Sequence, residues 1–392
     1  MALPATVKTR PEPFGFWLRL PDHTLVAVDR PRARALGLDG GPLWDDTVAH
    51  PPTGPLEVHV AITSRCPVGC EGCYQDATVD GRDVPLGALC ETLDGLRDLG
   101  VFTVAFGGGE PLLHPDLAPL AREALARGLT PVVTTSGVGL TPERLEALRG
   151  YAQVNVSHDG VSGGYLAVRG VDGAHLADRA VRALVAQGTP VGVNHVLTRQ
   201  NFAGLAETAA HARALGAREL QLLRYKPAGR AATEAYLSRR LDPSQVDALG
   251  GTLQALAEAH QGALSLRVDC ALVPLLSEAL TDPEALRRFG VFGCEAGAHL
   301  GAVRRDGALA GCSFVTPPVS PVKPPRRALA VLWDTSPAVE GFRRWVTAPP
   351  EPCASCPVRG VCRGGCKVVS EHLVGCFAPD PECPRVRAAS AR

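Results

Sequence analysis

Between residues 55 and 225 the sequence alternates between short apolar runs and longer segments of helical periodicity. This alternation is typical of an α/β fold with a parallel sheet, because a strand reaches a parallel neighbour only through a crossover, usually a helix. Glycines just past several helical segments mark their ends. The predicted strands are Leu56–Thr63, Phe102–Phe106, Pro131–Thr135, Gln153–Ser157, Val191–Leu197 and Glu219–Leu223. The helices predicted between them are Leu86–Leu99, Asp116–Arg127, Pro142–Leu148, Ala174–Gln187 and Phe202–Leu215.

Six parallel strands in chain order predict a partial (β/α)6 barrel of the TIM type. In such barrels the chemistry gathers at the carboxyl ends of the strands, on the loops that follow them. Functional side chains are therefore expected at those strand ends.

The rest of the chain differs from this barrel in composition and in its predicted elements. The first part is rich in Pro and Arg and predicts a small β-hairpin, Phe14–Leu20 with Leu25–Asp29, and a short helix near Pro31–Leu38. It is too small for a substantial core, and two alternatives remain open: it binds a substrate, or it plugs one end of the barrel. The predicted divisions are a hairpin segment at 1–54, the barrel at 55–230, a mostly helical linker at 231–289 and a Cys-rich C-terminal domain at 290–392, in which metal would replace a hydrophobic core.

Composition excludes several classes of protein. Acidic and basic residues are equal in number, 40 of each, so charge indicates neither a nucleic acid nor an anionic membrane as partner. No apolar stretch approaches the ~18 residues of a membrane span, and the start, MALPATVKTRPEPF, lacks the apolar core of a signal peptide. Thirteen cysteines without an export signal indicate metal or redox chemistry. We expect a cytoplasmic protein that binds neither nucleic acid nor membrane.

Three cysteines follow the first predicted strand. Cys66, Cys70 and Cys73 stand in C-x3-C-x2-C spacing. A 4Fe–4S cluster is normally held by four thiolates, so a group of three suggests a cluster with one iron open to a substrate or cofactor. The alternatives are a structural zinc site or inert buried thiols. Zinc usually takes four ligands in paired short spacings, and no second pair lies within fifty residues.

The segment from Cys66 to Tyr74, CPVGCEGCY, resembles the activating motif of the radical S-adenosylmethionine (SAM) enzymes, in which an open iron chelates the methionine end of SAM. Other segments resemble motifs of this superfamily and follow in its order. They are FGGGEP at Phe106–Pro111, the S-x-D-G step at Ser157–Gly160, Arg169-Gly170, and P-x-G-R at Pro227–Arg230.

The resemblance implies which residues hold SAM. Ser136 stands where the family usually has Asn, so its polar contact is left open. His158 and His195 are expected to be structural, and no catalytic residue is identified. Arg169 is expected to be exposed and to use its guanidinium fork. The implied contacts are Gly108, Gly109 and Glu110 for the amino group, Ser157 and Asp159 for the ribose region, Arg169 for the carboxylate and Asn194 for the adenosine.

The tail resembles the SPASM extension of radical SAM enzymes, which commonly carries two auxiliary 4Fe–4S clusters. The matching patterns are Cys294-x12-Gly307-x4-Cys312 and C-x2-C-x5-C-x3-C over Cys353–Cys366. A zinc ribbon at Cys353–Cys366 remains an alternative. The resemblance assigns Cys294, Cys312 and Cys366 to auxiliary cluster I, and Cys353, Cys356, Cys362 and Cys383 to auxiliary cluster II.

Auxiliary cluster I lacks one expected ligand. Relatives with full ligation have a cysteine a few residues before the first one, whereas this chain has Arg287-Arg288-Phe289. Cluster I therefore either has an open iron or recruits Cys376 or Cys270. Cys90 lies on an apolar helical face and is expected to be an inert core thiol.

The resemblance implies a reaction but not a substrate. SAM would be cleaved reductively to methionine and a 5′-deoxyadenosyl radical, with electrons from a reductase or a flavodoxin-type donor. The radical would abstract hydrogen from a substrate, and the auxiliary clusters favour net oxidation. We favour a ribosomally synthesised peptide that receives a thioether, C–C or related crosslink. The alternatives are a small molecule, as in porphyrin side-chain decarboxylation or aminocyclitol oxidation, and a sulfatase that receives formylglycine.

Overall fold

The computed structural model describes residues 4, 6–47, 50–280, 282–288, 292–315 and 328–391. Its strands are β1 (Lys8–Glu12), β2 (Gly15–Arg19), β3 (Leu25–Asp29), β4 (Glu57–Thr63), β5 (Thr103–Gly108), β6 (Thr130–Thr135), β7 (Gln153–Ser157), β8 (Val191–Leu197), β9 (Glu219–Arg224), β10 (Ser265–Val268), β11 (Leu300–Val303) and β12 (Leu309–Ala310).

The α-helices are α1 (Arg30–Ala35), α2 (Leu86–Asp98), α3 (Leu117–Ala126), α4 (Pro142–Ala147), α5 (Gly164–Arg169), α6 (Ala174–Ala186), α7 (Leu205–Ala214), α8 (Tyr236–Arg239), α9 (Pro243–His260), α10 (Pro283–Arg288), α11 (Leu329–Thr335), α12 (Pro337–Thr347), α13 (Arg359–Cys362), α14 (Lys367–Val374) and α15 (Pro384–Ser390). Short 3-10 helices occupy Gly41–Trp44, Pro111–Leu113, Leu148–Gly150, Phe202–Gly204, Gly229–Ala231 and Val273–Leu276. No helix in the described residues combines the length and apolar character that crossing a membrane requires.

The main sheet contains the six predicted strands, β4 to β9, as parallel neighbours in chain order. This arrangement confirms the α/β fold class and is consistent with a partial barrel. The sheet also extends beyond the prediction at both edges. Strand β10 pairs in parallel with β9, and β11 pairs in parallel with β4 and antiparallel with β12. The linker and the tail therefore each add strands to the barrel sheet.

Alternation along β4 shows how the strands separate the core from the barrel interior. Val58, Val60 and Ile62 are at most 2% exposed and belong to the core that the surrounding helices cover. Glu57 and His59, on the other face, line the interior cavity. Because side chains alternate along a strand, this pattern buries one face under helices and leaves a polar face inside the barrel.

The N-terminal segment forms a three-stranded antiparallel sheet in the order β1–β2–β3, one strand more than the predicted hairpin. The sequence of β1, KTRPE, has no apolar alternation to reveal it. Lys8 Nζ donates to the carbonyl oxygen of Val101 (2.6 Å), just before β5, and Arg10 Nη1 donates to that of Pro55 (2.8 Å), just before β4. These bonds hold the segment against the amino ends of the barrel strands, which supports the plug alternative.

Candidate cofactor site and cysteine groups

The loop that carries Cys66, Cys70 and Cys73 leaves the carboxyl end of β4 and lines the interior cavity. All three residues are partly exposed. The backbone N–H of Cys66 donates to the carbonyl oxygen of Thr78 (2.8 Å), which folds the loop back on itself. Arg65 Nη2 donates to Asp83 Oδ2 and to the carbonyl oxygen of Leu113, both at 2.6 Å.

Arg230, which lies after β9, holds this loop by hydrogen bonds to its backbone. Its Nε and Nη2 donate to the carbonyl oxygen of Cys70 (3.0 and 2.9 Å), and its Nη1 donates to that of Ala77 (3.0 Å). A Cβ on Gly229 would lie 2.6 Å from the carbonyl oxygen of Cys73, so only glycine allows this approach. The P-x-G-R motif thus positions the cysteine loop, a role that the sequence alone did not reveal.

The spacing of the thiols differs from that around a single zinc ion. Tetrahedral zinc with Zn–S bonds of about 2.3 Å draws its thiolates to within about 3.8 Å of one another. Among the described residues, no three cysteine thiols all lie within 4.8 Å of one another.

Gly108 and Gly109 are required by close packing at the end of β5. A Cβ on Gly108 would lie 2.2 Å from the carbonyl oxygen of Thr63, and one on Gly109 would lie 2.3 Å from that of Arg65. Gly108 also has a φ of +127°, which side chains disfavour. The two glycines thus allow the start of the cysteine loop, at Thr63 and Arg65, to pack directly against the end of β5.

Glu110 is buried and fully engaged within the protein. Its Oε1 accepts from Leu112 N (3.0 Å) and Thr135 Oγ1 (2.6 Å), and its Oε2 accepts from the N and Oγ of Ser136 (2.8 and 2.5 Å). Burial raises the pKa of Glu110 despite these bonds. A carboxylate has about four acceptor sites, so a contact to a SAM amino group would have to share them. The hydroxyl of Ser136 is directed to Glu110.

Asp159 and Arg169 pair with each other. Arg169 Nε donates to Asp159 Oδ2 (2.6 Å), and Nη1 lies 3.6 Å from Cys70 Sγ. The expectation of an exposed arginine is wrong: only 15% of the Arg169 side chain is exposed, because it packs between Asp159 and the ring of Tyr165. Burial disfavours its charge, but the Asp159 carboxylate raises the pKa of Arg169 above its ordinary value.

Ser157 and Asn194 are direct neighbours across β7 and β8, and both line the cavity. The Oδ1 atom of Asn194 is buried and accepts no hydrogen bond from any described residue. A buried acceptor without a donor is costly, and the hydroxyl and amino groups of an adenosine are suitable donors. This orphaned atom favours the predicted adenosine contact.

His158 and His195 are buried and hydrogen-bonded, and neither of them lines the cavity. His158 Nε2 lies 3.0 Å from Asp178 Oδ1, which His211 Nε2 also contacts at 2.8 Å. His195 Nδ1 bonds to the carbonyl oxygen of His158 (3.1 Å). These contacts favour the structural interpretation of both histidines.

The cysteines of the tail form two groups. One group shares a cavity with Asp380 and consists of Cys353, Cys356, Cys362 and Cys383, the set predicted for auxiliary cluster II. The other contains Cys294, Cys312 and Cys366, whose thiols lie close enough for their charges to interact. Cys376 is exposed and Cys90 is half-buried. Phe289, in the segment that lacks the upstream cysteine, lies outside the described residues.

Buried charges join the barrel to the tail, and the sequence did not predict them. Arg224, at the end of β9, donates to Asp380 Oδ2 (2.6 Å) and to Glu382 Oε2 (2.7 Å). All three side chains are at most 7% exposed. Lys226 pairs with Asp269 at 2.5 Å, beside the cavity.

Comparison with known proteins agrees with this geometry. Residues 60–212 match the family model described as the Radical SAM superfamily. The PqqA peptide cyclase of Streptomyces rochei is 32% identical over 355 residues, which cover 86% of this chain and 91% of the relative. The PqqA peptide cyclase of Gluconobacter oxydans is 30% identical over 345 residues, 85% of this chain and 91% of the relative.

Solved structures share the fold. Streptococcus suis SuiB bound to S-adenosylmethionine matches with a TM-score of 0.76 and 16% identity, over 98% of this chain and all of that one. Native anSMEcpe with bound AdoMet matches with a TM-score of 0.64 and 15% identity, over 86% of this chain and all of that one. The chain thus belongs to the radical SAM superfamily and, within it, to the family of the PqqA peptide cyclases, as an enzyme that uses SAM and an iron–sulfur cluster.

Proposed function

We propose that this enzyme forms a crosslink, such as a thioether or a C–C bond, in a ribosomally synthesised peptide. The curated relatives are named PqqA peptide cyclases. SuiB, which shares the fold, has been solved bound to the precursor peptide SuiA. Both comparisons point to a peptide as the substrate class.

The size of the interior cavity carries the proposal. The cavity measures about 2400 Å³ and runs from the N-terminal sheet through the barrel to the cysteine loop. Pockets for small molecules are usually about 300–1,000 Å³. SAM and its cluster would fill one end of this space, and an auxiliary cluster beside Cys312 would take a further part of its edge. The remainder suits a peptide segment better than a porphyrin or an aminocyclitol.

The chain's residues would divide the binding work as follows. Cys66, Cys70 and Cys73 would hold the SAM cluster, while Arg230 fixes the loop that carries them. Asn194 and Ser157 would receive the adenosine end of SAM. When bound, the cluster and SAM supply the reductive cleavage that starts radical chemistry.

The pair of Arg169 with Asp159 would face the carboxylate of SAM. Arg169 has guanidinium N–H groups beyond the bond to Asp159, and a carboxylate is their natural acceptor. Gly108, Gly109 and Glu110 would form the wall near the SAM amino group. Glu110 would act there mainly by bracing β5 against β6.

Crosslinking removes two hydrogen atoms from the peptide. The radical derived from SAM takes one, and the other leaves as a proton and an electron, so an electron acceptor is needed. The tail has two groups of cysteines, and we propose that they hold two auxiliary 4Fe–4S clusters that accept this electron. A reductase or a flavodoxin-type protein would supply the electrons for SAM cleavage. All thirteen cysteines are free thiols, which suits the reducing cytoplasm as the enzyme's compartment.

The test uses the anaerobically purified enzyme with SAM, dithionite and a synthetic PqqA peptide, the substrate that the relatives' name gives. We expect 5′-deoxyadenosine to form and the peptide to lose the mass of two hydrogens, with the crosslink located by tandem mass spectrometry. A peptide of the same composition in scrambled order is the matched control.

Two results would overturn the proposal. One is turnover of a porphyrinogen or an aminocyclitol while the peptide stays unchanged. The other is conversion of a cysteine or serine in a sulfatase-derived peptide to formylglycine.

A further inference from the structure

The group of Cys294, Cys312 and Cys366 has one thiolate too few for a fully ligated 4Fe–4S cluster. The sequence offers Cys376 and Cys270 as completing ligands. The two cysteines differ in position, exposure and neighbours, and these differences decide between them.

Cys270 lies two residues past the end of β10, at the carboxyl end of the barrel sheet. The backbone N–H of Asp269 donates to the carbonyl oxygen of Leu222 (2.8 Å), which extends the pairing of β10 with β9 up to Cys270. Cys270 and Cys312 line the same cavity. The next residue, Ala271, packs in one apolar cluster with Cys366 and Cys312.

One guanidinium holds the Cys270 and Cys366 segments together. Arg224 Nη1 donates to the carbonyl oxygen of Ala271 (2.9 Å) and to Asp380 Oδ2 (2.6 Å). The same Asp380 oxygen accepts from the backbone N–H of Cys366 (3.0 Å). Because all these groups are buried, the peptide after Cys270 is fixed relative to the peptide at Cys366.

The thiols of this set are near enough for their charges to interact. Cys294 and Cys312 act on Cys270 in this way, and Cys366 and Cys312 act on Cys294. This proximity agrees with the backbone contacts that join the Cys270 and Cys366 segments.

Cys376 lacks all of these features. It is exposed, and it follows Gly375, whose left-handed backbone ends α14. It does not line the interior cavity that Cys270 and Cys312 share.

We propose that Cys270 is the fourth ligand of auxiliary cluster I, together with Cys294, Cys312 and Cys366. This inference rests on the auxiliary clusters of the proposed function. A strand of the barrel sheet then supplies the thiolate that the segment before Cys294 lacks. With four protein ligands no iron is open to the substrate, so this cluster transfers electrons and does not bind the peptide.

The experiment removes the SAM cluster first, so that only iron of the tail is counted. In the full chain carrying Cys66→Ala, Cys70→Ala and Cys73→Ala, we compare Cys270→Ala, Cys270→Ser and Cys376→Ala after anaerobic reconstitution. Iron and sulfide content and the electron paramagnetic resonance spectrum are the readouts. Circular dichroism checks that each variant folds.

We expect Cys270→Ala to lose between about one and about four irons per chain, because a cube without one thiolate sheds an iron or fails to assemble. Cys270→Ser should keep the fold and alter the spectrum, since oxygen replaces a thiolate. Cys376→Ala should match its parent. Unchanged iron and spectra in both Cys270 variants, or loss confined to Cys376→Ala, would overturn the assignment.

One further result separates this inference from the proposed function. If the parent with Cys270 intact binds no iron in the tail, the auxiliary clusters themselves are refuted, and the ligand assignment falls with them. If the parent holds two clusters that survive in Cys270→Ala, the auxiliary clusters stand and only Cys270 is excluded.

Discussion

The cysteine loop after β4 and the cysteine-rich tail hold their cysteines in place in different ways. The loop thiols are partly exposed and face the cavity, and neutral backbone carbonyls that accept from Arg230 fix their positions. In the tail, Cys353, Cys362, Cys366 and Cys383 are buried. The tail is anchored to the barrel by the buried charges of Arg224, Asp380 and Glu382.

This difference matches the two roles that we propose for the groups. A cluster that chelates a cofactor needs an open side. Its loop is accordingly fixed through backbone carbonyls, which leaves the thiols facing the cavity. A cluster that only transfers electrons is better insulated, because burial and hydrogen bonding set its potential. The two regions meet where Tyr74, next to Cys73, stacks on Phe314, two residues past Cys312, with ring centroids 4.4 Å apart.

The largest effect should come from removing the loop ligands alone. Replacing Cys66, Cys70 and Cys73 together by Ala should abolish SAM cleavage while iron stays in the tail, because each cluster needs its own thiolates. Iron analysis and 5′-deoxyadenosine formation with dithionite measure the two effects. Formation of 5′-deoxyadenosine by the triple variant would show that this loop does not hold the SAM cluster.

The next effect tests the anchor of the tail. Arg224→Met leaves Asp380 buried without its cation and leaves Glu382 with Arg240 alone, which costs about 3–5 kcal/mol of unfolding free energy. Arg240→Met removes a partly exposed partner of the same Glu382 and should cost about 1 kcal/mol or less. Urea unfolding of the anaerobic holoenzyme compares them. Equal losses of unfolding free energy in the two variants would mean that the buried ion pairs of Arg224 stabilise the protein no more than the partly exposed pair of Arg240.

How far the sequence predicted the structure depends on how local each signal is. Strands β7 and β8 were predicted with their observed bounds, because β-branched residues and flanking turns mark them within a few residues. The division of the tail cysteines came from the family resemblance, because spacing alone would place Cys366 with its sequence neighbour Cys362. Strand β10, SLRV, carries little local signal, since its pairing with β9 depends on the finished barrel.

The contacts that hold the site together were not predictable for the same reason. Arg230 and Cys70 are 160 residues apart in sequence, and Arg224 and Asp380 are 156 apart. A family motif names such residues without saying what they touch. Arg169 is an example. Its motif predicted an exposed side chain that binds SAM, whereas in the structure the side chain is mostly buried and pairs with Asp159.

A smaller effect separates pairing from cofactor binding at Arg169. Arg169→Met should weaken SAM binding roughly ten- to a hundredfold through loss of a charge-assisted bond, and leaving Asp159 unpaired should cost about 1–3 kcal/mol of stability. Adding Asp159→Asn should restore much of the stability but not the affinity. SAM titration and urea unfolding measure both. Recovery of SAM affinity in the double variant would show that Arg169 acts on SAM only through Asp159.

The smallest effect concerns the contact between the two regions. A double-mutant cycle of Tyr74→Leu and Phe314→Leu should give a coupling energy of about 0.5–1.5 kcal/mol, the usual value for an aromatic pair. Either single change should also weaken SAM binding about two- to threefold, since Tyr74 is joined to Cys73 and a loss near 0.5 kcal/mol corresponds to that factor. The pair of Phe342 and Phe377, 4.9 Å apart within the tail, is the control. Its cycle should show similar coupling with unchanged SAM affinity, because it touches only one region. If Phe342→Leu weakened SAM binding as much as Phe314→Leu, the stack would have no special role in joining the loop to the tail.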